Sequence, residues 1–130
     1  MAQSLSRLWT HLIFSTKKRF PFLNDKTIRR DTHAFLAKML REQDCETLIV
    51  NGVEDHVHAL LALSRTHSIA SVVKEIKRTS SGWVKELSPK LAKFHWQGGY
   101  DAFSVSQSNL GCYSIYRKAG AASQTCDVSG

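Results

Sequence analysis

Hydrophobic and polar residues alternate along positions 47–63, TLIVNGVEDHVHALLAL. A period of two is typical of β-strands, because successive side chains point to opposite faces of a sheet. The alternation pauses at residues 53–55, where a tight turn is expected. The stretch therefore predicts a β-hairpin with strands at residues 47–53 and 56–63.

Two longer stretches have apolar residues at spacings of three, four and seven, which is the pattern of an amphipathic helix. The helices are expected at about residues 25–43 and 68–87. Two further stretches are rich in β-branched and aromatic residues. They predict the first and the fourth strand, at residues 6–16 and 94–106.

The resulting order of elements is β, α, β, β, α, β, which is that of the ferredoxin-like or split βαβ arrangement. We expect an α+β fold in which two helices cover one face of a four-stranded antiparallel sheet. A chain of 130 residues suits one domain with a real core. That domain is expected at residues 1–110, followed by a divergent C-terminal tail or helix at residues 111–130.

His56 and His58 are the candidate metal ligands. Val57, Ala59 and Leu61 are expected to point into the core, so the two imidazoles lie side by side on the opposite face of the strand. This spacing suits a divalent cation, which would hold both rings as neutral ligands and remove their mutual repulsion. Two surface or hydrogen-bonded histidines without a metal are the alternative.

The chain carries a net charge of +7 and has a pI near 9.6. An excess of basic residues favours a polyanionic partner, above all nucleic acid, whereas a merely solvated basic surface is the alternative. Trp96, Tyr100 and Phe103 are candidates for stacking on unpaired bases, with packing against the sheet as the other explanation. The basic residues predicted to contact the nucleic-acid backbone are Lys17, Lys18, Arg19, Arg65, Lys74, Lys77 and Arg78.

No run of residues approaches the twenty or so apolar positions of a membrane span, and the N-terminus lacks the apolar core of a signal peptide. The three cysteines show no CxxC spacing and are expected to be reduced thiols. We therefore expect a cytoplasmic protein without a membrane partner.

Three ordered segments carry a resemblance to a known family: DHVHALLAL, SIASVVKEIKRTSSGWVKE and FHWQGGYDAFSVSQSNL. Over about residues 6–110 the chain resembles the single-tyrosine HUH transposases of the insertion-sequence 200/605 group and their repeat-associated relatives. The resemblance implies an enzyme that cuts and rejoins single-stranded DNA, in which His56 and His58 bind Mg²⁺ or Mn²⁺ at the scissile phosphate. It also implies a homodimer that recognises single-stranded DNA hairpins.

In the family that the chain resembles, a tyrosine on a C-terminal helix attacks the phosphate and forms a covalent 5′-phosphotyrosine. The family's spacing after SVSQSNL places this nucleophile at Tyr116, with Tyr113 and Tyr100 as weaker candidates. A glutamine four residues later normally supplies the third metal ligand, but Gly120 stands there in this chain. The tail also lacks an amphipathic stripe, and a glycine costs about 1 kcal/mol in a helix interior.

A frameshift after about Leu110 is one hypothesis for this departure. One set of codons for IYRKAGAASQT, read one base later, spells YIEKQEQHHK. That peptide has a tyrosine, a glutamine four residues on and the pair of histidines usual in the family. The chain would then keep its DNA-binding core behind a scrambled catalytic tail, which the sequence of the coding DNA tests.

The sequence therefore predicts a metal-dependent transposase for single-stranded DNA whose activity depends on its tail. Two alternatives stay open. One is a catalytically inactive nucleic-acid-binding module, because RNA-binding domains share the same order of elements. The other is a HUH replication or relaxase nuclease, which uses the same chemistry for another task.

Overall fold

The computed structural model describes residues 9–106. Short 3₁₀ turns at Lys17–Arg19 and Pro89–Leu91 precede the first long helix and the last strand. The order of the long elements confirms the predicted β, α, β, β, α, β arrangement. These elements are β1 (Trp9–Ser15), α1 (Lys26–Glu42), β2 (Glu46–Gly52), β3 (His56–Ala62), α2 (Ile69–Lys85) and β4 (Asp101–Val105).

The four strands form one antiparallel sheet in the order β2-β3-β1-β4. The strand with the two histidines, β3, is therefore central and pairs with both β1 and β2. Ser15 lies opposite His56 and Ile13 opposite His58 in the β1–β3 register. Side chains of β1 consequently flank the histidine pair.

Both helices cover the same face of the sheet, as predicted. Leu36 of α1 and Ile76 of α2 pack into one core with Leu12 of β1. Val57 and Leu61 of β3 are fully buried in this core, and each such side chain contributes about 1.5–3 kcal/mol. A slip of one residue would turn every side chain of β3 to the other face, so this core fixes the face that the histidines occupy.

The fourth strand is shorter than predicted, because it begins at Asp101 and not near residue 94. Phe94 is fully buried in the helix-side core. The Trp96 ring packs edge-on against Phe14 at 4.8 Å between centroids, and its Nε1 donates a hydrogen bond to Ser80 Oγ at 2.9 Å. Phe94 and Trp96 thus reflect core packing, and Trp96 is a packing residue.

Side-chain caps begin both long helices. The Asp25 carboxylate accepts hydrogen bonds from the backbone N–H groups of Thr27 and Ile28 at 2.8 and 3.1 Å, and Ser68 Oγ accepts one from Ser71. These bonds satisfy amide groups that have no partner within the helix. Among the described residues, no helix combines the length and the apolar character that a membrane span requires.

Candidate active site

His56 and His58 lie on the face of the sheet opposite to the helices, with their ring centroids 4.9 Å apart. They open into a cleft of about 400 Å³, which we call the histidine cleft. The two rings are thus neighbours on an accessible face, as the alternation of β3 predicts. The histidine cleft is lined by Ile13, Phe14, Ser15, Arg19, His56, His58, Gly98, Gly99, Tyr100 and Asp101.

Asp55 orients the His56 ring. Nδ1 of His56 donates a hydrogen bond to Asp55 Oδ1 at 2.7 Å, and Arg19 Nε lies 3.7 Å from the other carboxylate oxygen. The backbone carbonyl of Asp55 in turn accepts a hydrogen bond from the N–H of Thr16 at 2.9 Å. Metal-binding histidines commonly give one ring nitrogen to a carboxylate in this way, which directs the other nitrogen to the metal.

His11 of β1 is the corresponding partner of His58. Nε2 of His11 lies 3.0 Å from Nδ1 of His58, so one nitrogen donates and the other accepts. Burial lowers the pKa of His11, and burial with repulsion from His11 and His56 lowers the pKa of His58 to about 4. Both His11 and His58 are consequently neutral near pH 7, which is the state in which an imidazole binds a metal.

The sequence did not single out His11 or Asp55. A signal for His11 was nonetheless present, because alternation in β1 places Leu12 and Phe14 in the core and His11 on the opposite face. The ferredoxin-like order then makes β1 a neighbour of β3. The role of Asp55 depends on the conformation of the β2–β3 turn, which the sequence does not specify.

Arg19 is the predicted DNA contact that lines the histidine cleft. It shares the turn after β1 with Lys17 and Lys18. Lys18 and Arg19 have φ values of 56° and 55°, a left-handed conformation that is costly for residues other than glycine. The turn is held by a hydrogen bond from the Lys18 N–H to Gln97 Oε1 at 2.9 Å.

Lys77 is bound to the protein's own backbone. Its Nζ donates hydrogen bonds to the carbonyl oxygens of Gln97 and Gly99 at 2.7 and 2.6 Å. The same ammonium group lies 5.6 Å from the centroid of the Phe14 ring, and burial lowers its pKa. Lys77 therefore supports the segment that forms one wall of the histidine cleft.

The other predicted DNA contacts are dispersed. Arg78 forms an ion pair with Glu75 at 2.6 Å, and Lys74 is exposed on α2. Arg65 follows the far end of β3, and a seven-residue strand spans about 20 Å, so the fold does not bring Arg65 to the histidine cleft. Tyr116, the predicted nucleophile, lies outside the described residues.

His56 and His58 are the candidate metal ligands that the structure brings together. Within residues 9–106, no group of three or more histidine, cysteine, aspartate or glutamate side chains is placed to hold a metal ion. Two histidine ligands would leave most coordination positions of a divalent cation open. A catalytic site needs such vacant positions for substrate oxygens, whereas a structural site is closed by protein ligands.

Comparison with known proteins gives a family and a fold. Residues 4–116 match the family model described as "Transposase IS200 like". A candidate transposase from Deinococcus radiodurans R1 is 23% identical, with a TM-score of 0.69 over 95% of this chain and 98% of that chain. A REP-associated tyrosine transposase bound to a REP hairpin is 14% identical, with a TM-score of 0.56 over 92% of this chain and 66% of that chain. No curated protein sequence matches this chain.

Proposed function

The chain belongs to the IS200-like transposase family, and we propose that its histidine cleft cuts and rejoins single-stranded DNA. The observation that supports this proposal is the paired arrangement of His56 and His58. Each ring is held at Nδ1 by a different neighbour, and both open into the same cleft. Such an arrangement suits metal-assisted transesterification at a phosphodiester.

His56 and His58 would bind a divalent cation, Mg²⁺ or Mn²⁺, through their Nε2 atoms. When bound, the cation would polarise the scissile phosphate and stabilise negative charge on its oxygens. Asp55 and His11 would keep the two rings in the required tautomer and orientation. Arg19 would add a guanidinium group that contacts a phosphate in the cleft.

Tyr116 is the proposed nucleophile. Its phenolic oxygen forms a bond to phosphorus while the bond from phosphorus to the 3′ oxygen breaks. The phenolic proton passes to a base, the departing 3′ oxygen takes up a proton, and the 5′ phosphate stays on the tyrosine. Attack by a 3′-hydroxyl reverses these steps and rejoins the strand without an external energy source.

The proposed partner is a single-stranded DNA that folds into a hairpin. The net charge of +7 supports a polyanionic ligand, and the REP-associated transposase with this fold is bound to a REP hairpin. Tyr100 and Phe103 are 37% and 43% exposed beside the histidines and offer surfaces for base stacking. We place the reaction in the cytoplasm and propose a homodimer, in which the tail of one subunit reaches the histidine cleft of the other.

A catalytically inactive DNA-binding protein is the second candidate. Gly120 stands where the family's spacing calls for a glutamine ligand, and the family match ends at residue 116. Loss of one ligand would weaken the metal site without removing the basic surface that binds DNA.

One assay separates the two candidates. The protein is incubated with Mn²⁺ and a labelled hairpin that carries a single-stranded flank, and the products are run on a denaturing gel. An adduct that persists in Tyr113→Phe but is lost in Tyr116→Phe supports the transposase. His56→Ala should abolish the adduct while sparing most DNA affinity. Binding without an adduct supports the inactive protein, and absence of hairpin binding contradicts both candidates.

A restored tail tests the frameshift hypothesis. The chain after Leu110 is re-encoded in the alternative frame and compared with the single substitution Gly120→Gln. If the frame is the cause, the re-encoded tail should form more adduct than either the natural chain or Gly120→Gln. Coding DNA that cannot spell the alternative peptide would end the hypothesis.

A further inference from the structure

We propose that a second, separate surface binds the phosphodiester backbone of the DNA strand that is cut in the histidine cleft. This surface is the α1 groove, a concavity of about 610 Å³ between α1 and residues 47–52 of β2. The inference rests on the proposed function, because it concerns the same DNA strand. Four positively charged residues of α1 line the groove, Lys26, Arg29, Arg30 and Arg41, together with His33.

The basic residues form a stripe along one side of α1. From Lys26 to Arg41 the helix rises about 22 Å, which covers several phosphate spacings of a DNA strand. Ala34 and Ala37 lie between the basic residues and leave room for a ligand above the helix. The stripe thus combines length, concavity and charge of one sign.

The lining of the α1 groove contains no acidic side chain among the described residues. Asp31 lies 3.7 Å from Arg30 Nε, but the Arg30 side chain is 78% exposed. Nε2 of His33 is buried beside the groove without a hydrogen-bond partner in the described part of the chain. These features are complementary to a polyanion.

One end of the α1 groove adjoins the histidine end of the sheet. Asn51 lines the groove and lies directly opposite His58 in the β2–β3 register. The backbone N–H of Leu23, shortly before α1, donates to the carbonyl of Glu54 in the β2–β3 turn at 3.0 Å. Since neighbouring strands are about 4.8 Å apart, DNA that leaves the groove at this end passes close to His58.

A second copy of this chain is a poorer occupant of the α1 groove. Pairing two copies through β2 would bring two arginine stripes together, and like charges across an interface cost several kcal/mol. A DNA backbone instead gains affinity from each contact through release of its counterions. The observed charge distribution therefore favours nucleic acid.

A matched pair of triple variants tests the α1 groove. One variant carries Arg29→Ala, Arg30→Ala and Arg41→Ala. The control carries Lys38→Ala, Lys85→Ala and Lys90→Ala, which remove the same charge outside the groove. Affinity for a labelled single-stranded hairpin is measured from 50 to 300 mM KCl in ~20 mM buffer, a range in which phosphate contacts dominate the salt dependence.

The groove variant should bind at least tenfold more weakly than the control at about 150 mM salt. Its plot of log affinity against log salt should be less steep by about 2, because each lost phosphate contact removes about 0.7–0.9 from the slope. Equal affinities and slopes for the two variants would overturn the inference. The inference would also be overturned if the groove variant impaired dimer formation, measured by light scattering, while its DNA affinity stayed unchanged.

The adduct assay on the natural chain keeps this result apart from the proposed function. If the natural chain forms the adduct while the groove variant binds like the control, the groove is wrong and the transposase stands. If the groove variant alone loses affinity but the natural chain forms no adduct, the groove is supported as a DNA-binding surface and the cutting reaction is contradicted.

Discussion

Nε2 of His11 and Nδ1 of His58 lie 3.0 Å apart across the β1–β3 pair. This contact joins the first strand to a proposed metal ligand on the third. A metal ion on Nε2 of His58 would leave Nδ1 of His58 as the donor to His11. Asp55 has the same role for His56, but with a carboxylate. The two proposed ligands are thus oriented by partners of different charge.

Replacement of His11 should weaken metal binding. His11→Phe keeps a ring of similar size next to His58 and Phe103 but removes the nitrogen that contacts His58. Loss of such a supporting contact typically costs 10–100-fold in metal affinity, so we expect a decrease of about this size for Mn²⁺. Calorimetric titration of the DNA-free protein with Mn²⁺ measures it.

His11→Gln retains a hydrogen-bonding group and should recover part of the Mn²⁺ affinity. His95→Phe, an exposed position outside the histidine cleft, should leave it unchanged. If His11→Phe binds Mn²⁺ as tightly as His95→Phe, His11 does not orient His58.

Gly52 should tolerate no side chain. A methyl group there would overlap the carbonyl oxygen of His56, the same atom that accepts the turn hydrogen bond from the Val53 N–H at 3.0 Å. Gly52→Ala should therefore displace the start of β3, lower the free energy of unfolding by about 1–3 kcal/mol and reduce Mn²⁺ affinity. Urea unfolding and Mn²⁺ titration measure the two effects.

Gly82 on α2 is the matched control for Gly52. A Cβ atom at Gly82 would meet nothing within 4 Å, and alanine is the better helix former. Gly82→Ala should stabilise the protein by about 0.5–1 kcal/mol and leave the metal site unchanged. A Gly52→Ala protein as stable as the natural one would show that the hairpin can relax without cost.

Substitution of Lys77 distinguishes a supporting residue from a DNA contact. Lys77→Met removes two charged hydrogen bonds to the backbone next to the histidine cleft, so stability should fall by about 1–2 kcal/mol and adduct formation should fall with it. The salt dependence of hairpin binding should change little. Thermal unfolding and the binding assay provide these readings.

Lys74→Met removes one charge from the same helix without removing any described backbone contact. It should leave the melting temperature unchanged. If Lys77→Met instead flattened the salt dependence and kept the natural stability, Lys77 would be the phosphate contact that the sequence predicts.

The sequence predicts the parts of this fold that have a periodic cause. Alternation of Val57, Ala59 and Leu61 places the histidines on the open face, because this register puts all three apolar side chains in the helix-side core. The start of β4 is not predicted correctly. Phe94 and Trp96 pack in the core from outside the strand, but in the sequence these aromatic residues resemble a strand.

The contacts that complete the candidate site are not local. His11 and His58 are 47 residues apart, and their contact follows from strand order and register. The sequence shows which residues are positively charged but not what each of them contacts. In the structure Lys77 donates hydrogen bonds to backbone carbonyl groups, whereas Arg29 and Arg41 line an open groove. The role of each positive charge therefore depends on the three-dimensional structure.

Acid should destabilise the protein through His33. Burial and, to a lesser extent, the charge of Arg29 lower the pKa of His33 from 6.5 to about 4. In the unfolded chain the His33 imidazole becomes protonated below about pH 6.5. In the folded chain it stays neutral until the pH approaches 4. The stabilising contribution of neutral His33 is thus complete above pH 6.5 and is lost as the pH falls towards 4, by about 3 kcal/mol in total.

His33→Leu should accordingly lose less stability than the natural protein between pH 6.5 and 4, as measured by urea unfolding at several pH values. Arg29→Gln removes the smaller cause and keeps the burial, so most of the natural pH dependence should persist. If the free energy of unfolding of His33→Leu and of the natural chain fell equally with pH, His33 would have the same pKa in the folded and the unfolded protein. In that case the acid sensitivity would arise from other buried groups, of which His11 and His58 are the first to examine.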